Sequence, residues 1–132
     1  MADSNTITIR ISPGEVLDRL TILEIKCERI ADAAKLVNVK RERDELAAVV
    51  AKHIPARDDI ARLHDGLKAV NEKLWVIEDD IRDCERARDF GPKFVELARA
   101  VYFTNDERAR LKREINDALG ADIIEEKSYA PY

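Results

Sequence analysis

The stretch IARLHDGLKAVNEKLWVIEDDIRDC, residues 60–84, decides the fold class. Within it Ile60, Leu63, Leu67, Val70, Leu74, Ile77, Ile81 and Cys84 recur at spacings of 3, 4, 3, 4, 3, 4 and 3. Helical geometry stacks residues three and four apart on one face, so this is a heptad seam and not a strand. A helix from about residue 57 to 88 would run roughly 45–50 Å. In a chain of 132 residues, so long a seam also suggests packing against a second subunit.

The flanking sequence extends the pattern in both directions. Towards the N-terminus, Val16, Leu20, Leu23, Cys27, Ile30 and Ala34 keep spacings of 4, 3, 4, 3 and 4. Ser12 and Glu15 form an S-x-x-E capping box before that run, and Pro13 suits the first helical position. A second helix is predicted from about Asn38 to His53, with Leu36, Val39, Leu46 and Val50 in rhythm and Pro55 ending it. Its KRERDE run, residues 40–45, reads as a solvated face. DFGP, residues 89–92, breaks the third helix. Phe94, Leu97, Val101, Leu111 and Ile115 mark a fourth, with a stop at Gly120. Within this last region TNDE, residues 104–107, looks like another capping box, which predicts a kink or a fresh helix start.

Residues 6–11 read TITIRI. Ile7, Ile9 and Ile11 alternate with polar neighbours, the period of a half-buried strand. Such a strand needs an edge to pair with. The candidates are the tail ADIIEEKSY, residues 121–129, or the same strand of a second copy. The fold expected is mainly α: one domain, residues 1–132, an antiparallel bundle of long amphipathic helices with a short N-terminal β-strand. Residues 121–132 form a docking tail anchored by Tyr129 and Tyr132.

Composition restricts function. Charged residues make up 38% and aromatics 5%, and the net charge is −4, which argues against nucleic acid as a partner because phosphate contacts dominate that affinity. No stretch approaches the ~18 apolar residues of a membrane span, and MADSNTITIR lacks a basic region followed by an apolar run. Cys27 and Cys84 form no C-x-x-C pair and fall on apolar stripes, as buried thiols do in a reducing compartment. A cytoplasmic location is the expectation.

Two polar constellations stand out. On the third helix Asn71, Trp75, Glu78, Arg82 and Glu85 form a stripe beside the apolar seam, with Asp79 and Asp80 adjacent; it contains the only Trp. Asn71, Trp75 and Glu85 suit an interface between subunits, where Trp and Arg are favoured anchors. A solvated flank and a ligand site are the alternatives. The fourth helical region supplies Arg99, Tyr102, Asn105, Asp106, Arg108, Lys112 and Asn116. A helix start there would offer free N–H groups to an anion, and Arg108 and Lys112 would add charge. The simpler alternative is salt bridging along the helix. His53 and His64 show no metal-ligand spacing. Glu42 and Glu45 make an E-x-x-E, but residues 75–85 lack the partner spacing of the all-helical nucleotide pyrophosphatases. LDRLTILEIKCERI looks like the first helix of the all-helical chorismate mutases, with Arg19 and Arg29 in similar places, but the rest of the chain does not follow them.

Four segments together, SPGEVLDRLTILEIKCERI, NEKLWVIEDDIRDCE, FVELARAVYFTNDERARLKREIN and EEKSYAPY, resemble a family of short bacterial proteins of unknown function. Similar proteins occur beside, or joined to, sugar-transferring and surface-polysaccharide genes. The resemblance implies a stand-alone unit linked to glycan assembly and designates no catalytic residue. The expected role is a homodimeric interaction or accessory module with a glycan-assembly protein as partner. The alternative is an enzyme or binding protein for a phosphorylated or nucleotide-sugar ligand. In it Glu78, Asp79 and Arg82 would meet the residues of the fourth helix, with Mg²⁺ admitted as a cofactor.

Overall fold

The computed structural model describes residues 5–132. Four helices follow one another: α1 Pro13–Arg29, α2 Ala33–His53, α3 Asp58–Arg86 and α4 Pro92–Ala118. α3 and α4 form one antiparallel hairpin, α1 packs across both, and α2 packs back on α1. Leu17 of α1 joins Ile60, Leu67 and Val70 of α3 and Leu111 and Ile115 of α4 in the central core. Each such side chain contributes about 1.5–3 kcal/mol by leaving water. The seam of α3 is therefore consumed within the chain.

The helix ends follow local chemistry. The Ser12 hydroxyl accepts from the Glu15 N–H at 3.2 Å, and Pro13 occupies the first turn. The Glu15 carboxylate does not complete the capping box; it turns to Arg19 and Lys112. Asp89 accepts from the Gly91 N–H at 3.1 Å across the DFGP turn, and Gly120 stops α4 with φ +63°.

Four expectations are corrected. The first helix ends at Arg29, not near Ala34, and the second begins at Ala33, ahead of Asn38. The Asp32 carboxylate accepts from the Lys35 N–H at 3.0 Å and caps the new helix. This cap divides the heptad run where no Gly or Pro marks a break. α4 is continuous through residues 104–107. Leu97, Val101, Thr104, Arg108, Leu111 and Ile115 keep spacings of 4, 3, 4, 3 and 4, so two polar residues occupy seam positions and the capping pattern is overridden by packing.

The strand is also absent. Residues 6–11 are irregular, and no strand forms among the described residues. Ile7 is 87% and Ile9 64% exposed, so the alternation buries no face. The tail does come near, with Arg10 and Asp122 3.9 Å apart, but it is irregular too and offers no edge.

Candidate functional site

Arg108, at a seam position of α4, meets a buried stripe on α1 that carries two polar residues. Gly14, Asp18, Thr21 and Ile25 are spaced 4, 3 and 4 and are all buried. The Asp18 carboxylate, with no exposed surface, accepts from Arg108 Nε at 2.8 Å and Nη2 at 2.5 Å. It also accepts from Asn71 Nδ2 at 2.9 Å. The same amide reaches Thr21 Oγ1 at 2.9 Å, and that hydroxyl donates to the Asp18 carbonyl at 2.7 Å. Burial pushes the Asp18 carboxyl up, but the Arg108 and Asn71 hydrogen bonds and the Arg108 and Lys112 charges outweigh it and hold the group below its ordinary range. Arg108 is raised by the same bond. A buried ion pair is tolerated only when its remaining hydrogen-bonding capacity is met, as it is here.

A second polar ring lies one turn further along α4. Lys112 Nζ donates to Glu125 at 3.0 Å and sits 2.7 Å from Glu15 Oε2. Burial lowers its pKa, yet the two carboxylates bring it above the ordinary lysine value. Asn116 Oδ1 accepts from the Gly14 N–H at 2.8 Å. A Cβ on Gly14 would lie 2.4 Å from the Lys112 carbonyl oxygen, so the start of α1 touches the backbone of α4 and only glycine fits.

A cleft of about 320 Å³ opens above the Asp18–Arg108 pair. Asn71, Trp75, Glu78, Asp79 and Arg82 enter it from α3 and Arg108 from α4, and Ile22 and Ile25 of α1 form its apolar wall. Arg82 Nη1 lies 3.1 Å from Glu78 Oε2. Both arginines thus stand beside a carboxylate, and Asp79 leaves the cleft with no positive excess. Two of the five guanidinium N–H groups of Arg108 are committed to Asp18. The cleft therefore combines an aromatic ring, guanidinium donors and carboxylate acceptors, with little net charge, while both amide N–H groups of Asn71 are spent on Asp18 and Thr21.

Over residues 7–132 the sequence matches a family described as a family of unknown function, DUF6165. The chain belongs to this family. No curated protein and no solved structure matches it.

In this DUF6165 member the other candidate residues do not converge on the cleft. Arg99 and Tyr102 project from α4 on the side away from Arg108, where Arg99 Nε donates to the Tyr102 hydroxyl at 3.4 Å and the Arg99 Cζ lies 5.9 Å from the Phe103 ring centroid. Tyr102, Asn105 and Asp106 line a separate hollow against the tail, beside Tyr129 and Tyr132. Lys112 and Asn116 belong to the ring that holds the start of α1, and a continuous α4 offers no free N–H groups at residues 104–107. Glu85 is exposed on the last turn of α3. Asn71, expected at an interface, is buried inside the chain. Arg19 pairs with Glu15 and Arg29 with Glu72, so neither enters the cleft. Among the described residues no three His, Cys, Asp or Glu are grouped to hold a metal ion, and His64 bonds Glu24 and Asp65. Asp18 and Thr21 carry no motif of their own; the signal for them is their place on the buried stripe between Gly14 and Ile25.

Proposed function

We propose that this protein is a non-catalytic helical accessory module that holds a saccharide in the α3 cleft and serves a glycan-assembly or glycosyl-transfer system in the cytoplasm. The observation that carries the reading is the cleft itself. It presents the single Trp, half-buried, beside paired donors and acceptors whose charges nearly cancel. A polyhydroxylated neutral ring needs an apolar face to lie on and groups that both donate to and accept from hydroxyls. A volume of about 320 Å³ lies at the small end of the ligand-site range and suits one or two sugar rings. The most enclosed carboxylate, Asp18, is locked to Arg108, which disfavours it as a proton carrier at neutral pH. The free cysteines Cys27 and Cys84 accord with a reducing compartment.

Trp75 is the only Trp, so intrinsic fluorescence reports on the cleft directly. Titration with neutral mono- and oligosaccharides should give a saturable change that Asp79→Asn and Arg82→Ala weaken. A response to nucleotide sugars alone that requires Mg²⁺ would replace this reading with the phosphorylated-ligand alternative, in which Arg82 leaves Glu78 for a phosphate. No response to any saccharide or nucleotide sugar would refute both.

A further inference from the structure

Helix α2 is 21 residues long and contains no buried residue. Among the helices it packs on α1 alone, through the half-buried side chains of Leu36, Val39, Leu46 and Val50. On the opposite side a second stripe, Ala34, Val37, Arg41, Glu45, Ala48 and Lys52, keeps spacings of 3, 4, 4, 3 and 4, and every member is exposed. Val37 is 58% and the neighbouring Val49 43% exposed. Arg41 and Glu45 stand one turn apart, yet neither takes part in an ion pair among the described residues, although surface pairs are common elsewhere in the chain.

The stripe has a near-palindromic order. Arg41 lies two residues before Arg43 and Glu45 two residues after it, with Val37 and Ala48 further out on either side. We infer that this face of α2 is the interface with a second copy of the chain, the two α2 helices running antiparallel about a two-fold axis level with Arg43. In that arrangement Arg41 of each copy meets Glu45 of the other, twice over, and Val37 of each comes level with the exposed Val49 of the other. A parallel arrangement would oppose Arg41 to Arg41, so charge selects the antiparallel one. The self-complementarity is what an isologous two-fold contact requires. Small side chains at residues 34 and 48 let the helices approach closely enough for Val37 to be covered. The inference stands apart from the saccharide reading, because the α3 cleft shares no residue with this face.

The test is charge reversal with rescue, read by sedimentation velocity on the full chain over a range of concentrations at low salt. The unaltered protein should dimerise. Arg41→Glu and Glu45→Arg each set two like-charged pairs across the axis and should weaken the dimer about tenfold or more. The double variant restores opposite charges and should recover it. Both sites are exposed and unpaired, so circular dichroism should show unchanged helix content in all three variants. A monomer at every concentration would overturn the inference. So would a dimer indifferent to both reversals, or a double variant no better than the singles.

Discussion

Asp18 on α1 and Arg108 on α4 lie 90 residues apart in sequence and are joined by two hydrogen bonds, with the carboxylate enclosed. Arg108 occupies a position in the apolar rhythm of α4, so it enters the bundle only because Asp18 is there to meet it. Asn71 adds α3 to the contact. Three helices are thereby held in one register by a single carboxylate.

Removing Arg108 should therefore cost far more than removing a surface partner. Arg108→Ala strands a buried charge, and about 3–5 kcal/mol of stability should be lost. Asp83→Ala, which breaks the exposed pair with Arg86, should cost less than about 1 kcal/mol. Urea denaturation midpoints of the two variants, compared with the parent, decide this; similar midpoints would mean that the buried pair does not form in solution.

The same contact sets an acid response. Asp18 and Glu15 are both held below their ordinary values of 3.8 and 4.5, since burial raises each but hydrogen bonds from Arg108 and Asn71, and from Lys112 and Arg19, outweigh it. A carboxylate depressed in the folded state contributes stability that is present above its unfolded pKa and is lost as pH falls through its folded pKa. Unfolding free energy should accordingly change little from these groups above about pH 5 and decline steeply below about pH 4. Asp18→Asn should flatten that decline. A series of urea curves across this range is the measurement, and an unchanged slope in Asp18→Asn would exclude Asp18 as its source.

Sequence pattern reads α3 well because its seam is apolar at every position and DFGP closes it with two strong breakers. It reads α4 poorly at the centre, where Thr104 and Arg108 hold seam positions; the compensation for Arg108 lies on another helix, beyond any local window. The α1–α2 boundary rests on one side-chain cap, from Asp32, and carries no glycine or proline. TITIRI has the alternation of a strand but no edge to join, and alternation alone supplies no partner. The cleft is half legible: periodicity marks the α3 stripe, and Arg108 joins it. Arg99, Tyr102, Asn105 and Asp106 project around the far side of α4, a separation that depended on α4 being unbroken.

The tail offers a titration of its own. The Tyr132 hydroxyl donates to Asp106, and its ring lies 4.7 Å from Phe103 and 5.3 Å from Tyr102. The hydrogen bond to Asp106, reinforced by slight desolvation and by the carboxylate charge, pushes the exposed phenol up to about 12. A raised folded pKa means that this docking contact is fully present below the ordinary value of 10.0 and is lost as pH rises through about 12. Ultraviolet titration of tyrosinate should show one late ionisation near 12, absent from Tyr132→Phe and shifted down in Asp106→Asn. If no tyrosine ionises late, the tail is not seated on α4 in solution.

Gly14 provides the most local test of how α1 is held. Its N–H donates to Asn116, and an added methyl group would meet the Lys112 carbonyl oxygen at 2.4 Å and Asn116 Oδ1 at 2.9 Å. Backbone cannot step aside as a flexible side chain can, so Gly14→Ala must push the first turn of α1 off α4. Overpacking of this kind costs about 1–3 kcal/mol. The displacement would also stretch the Lys112–Glu15 contact, so the loss should fall in the upper part of that range. Asn116→Ala removes the acceptor without forcing a movement, and the unpaired buried N–H should cost about 1–3 kcal/mol. Amide exchange separates the two effects: Gly14→Ala should speed exchange through the first turns of α1, whereas Asn116→Ala should speed it chiefly at Gly14. Equal, global acceleration in both would show that the start of α1 and α4 do not open independently of the core.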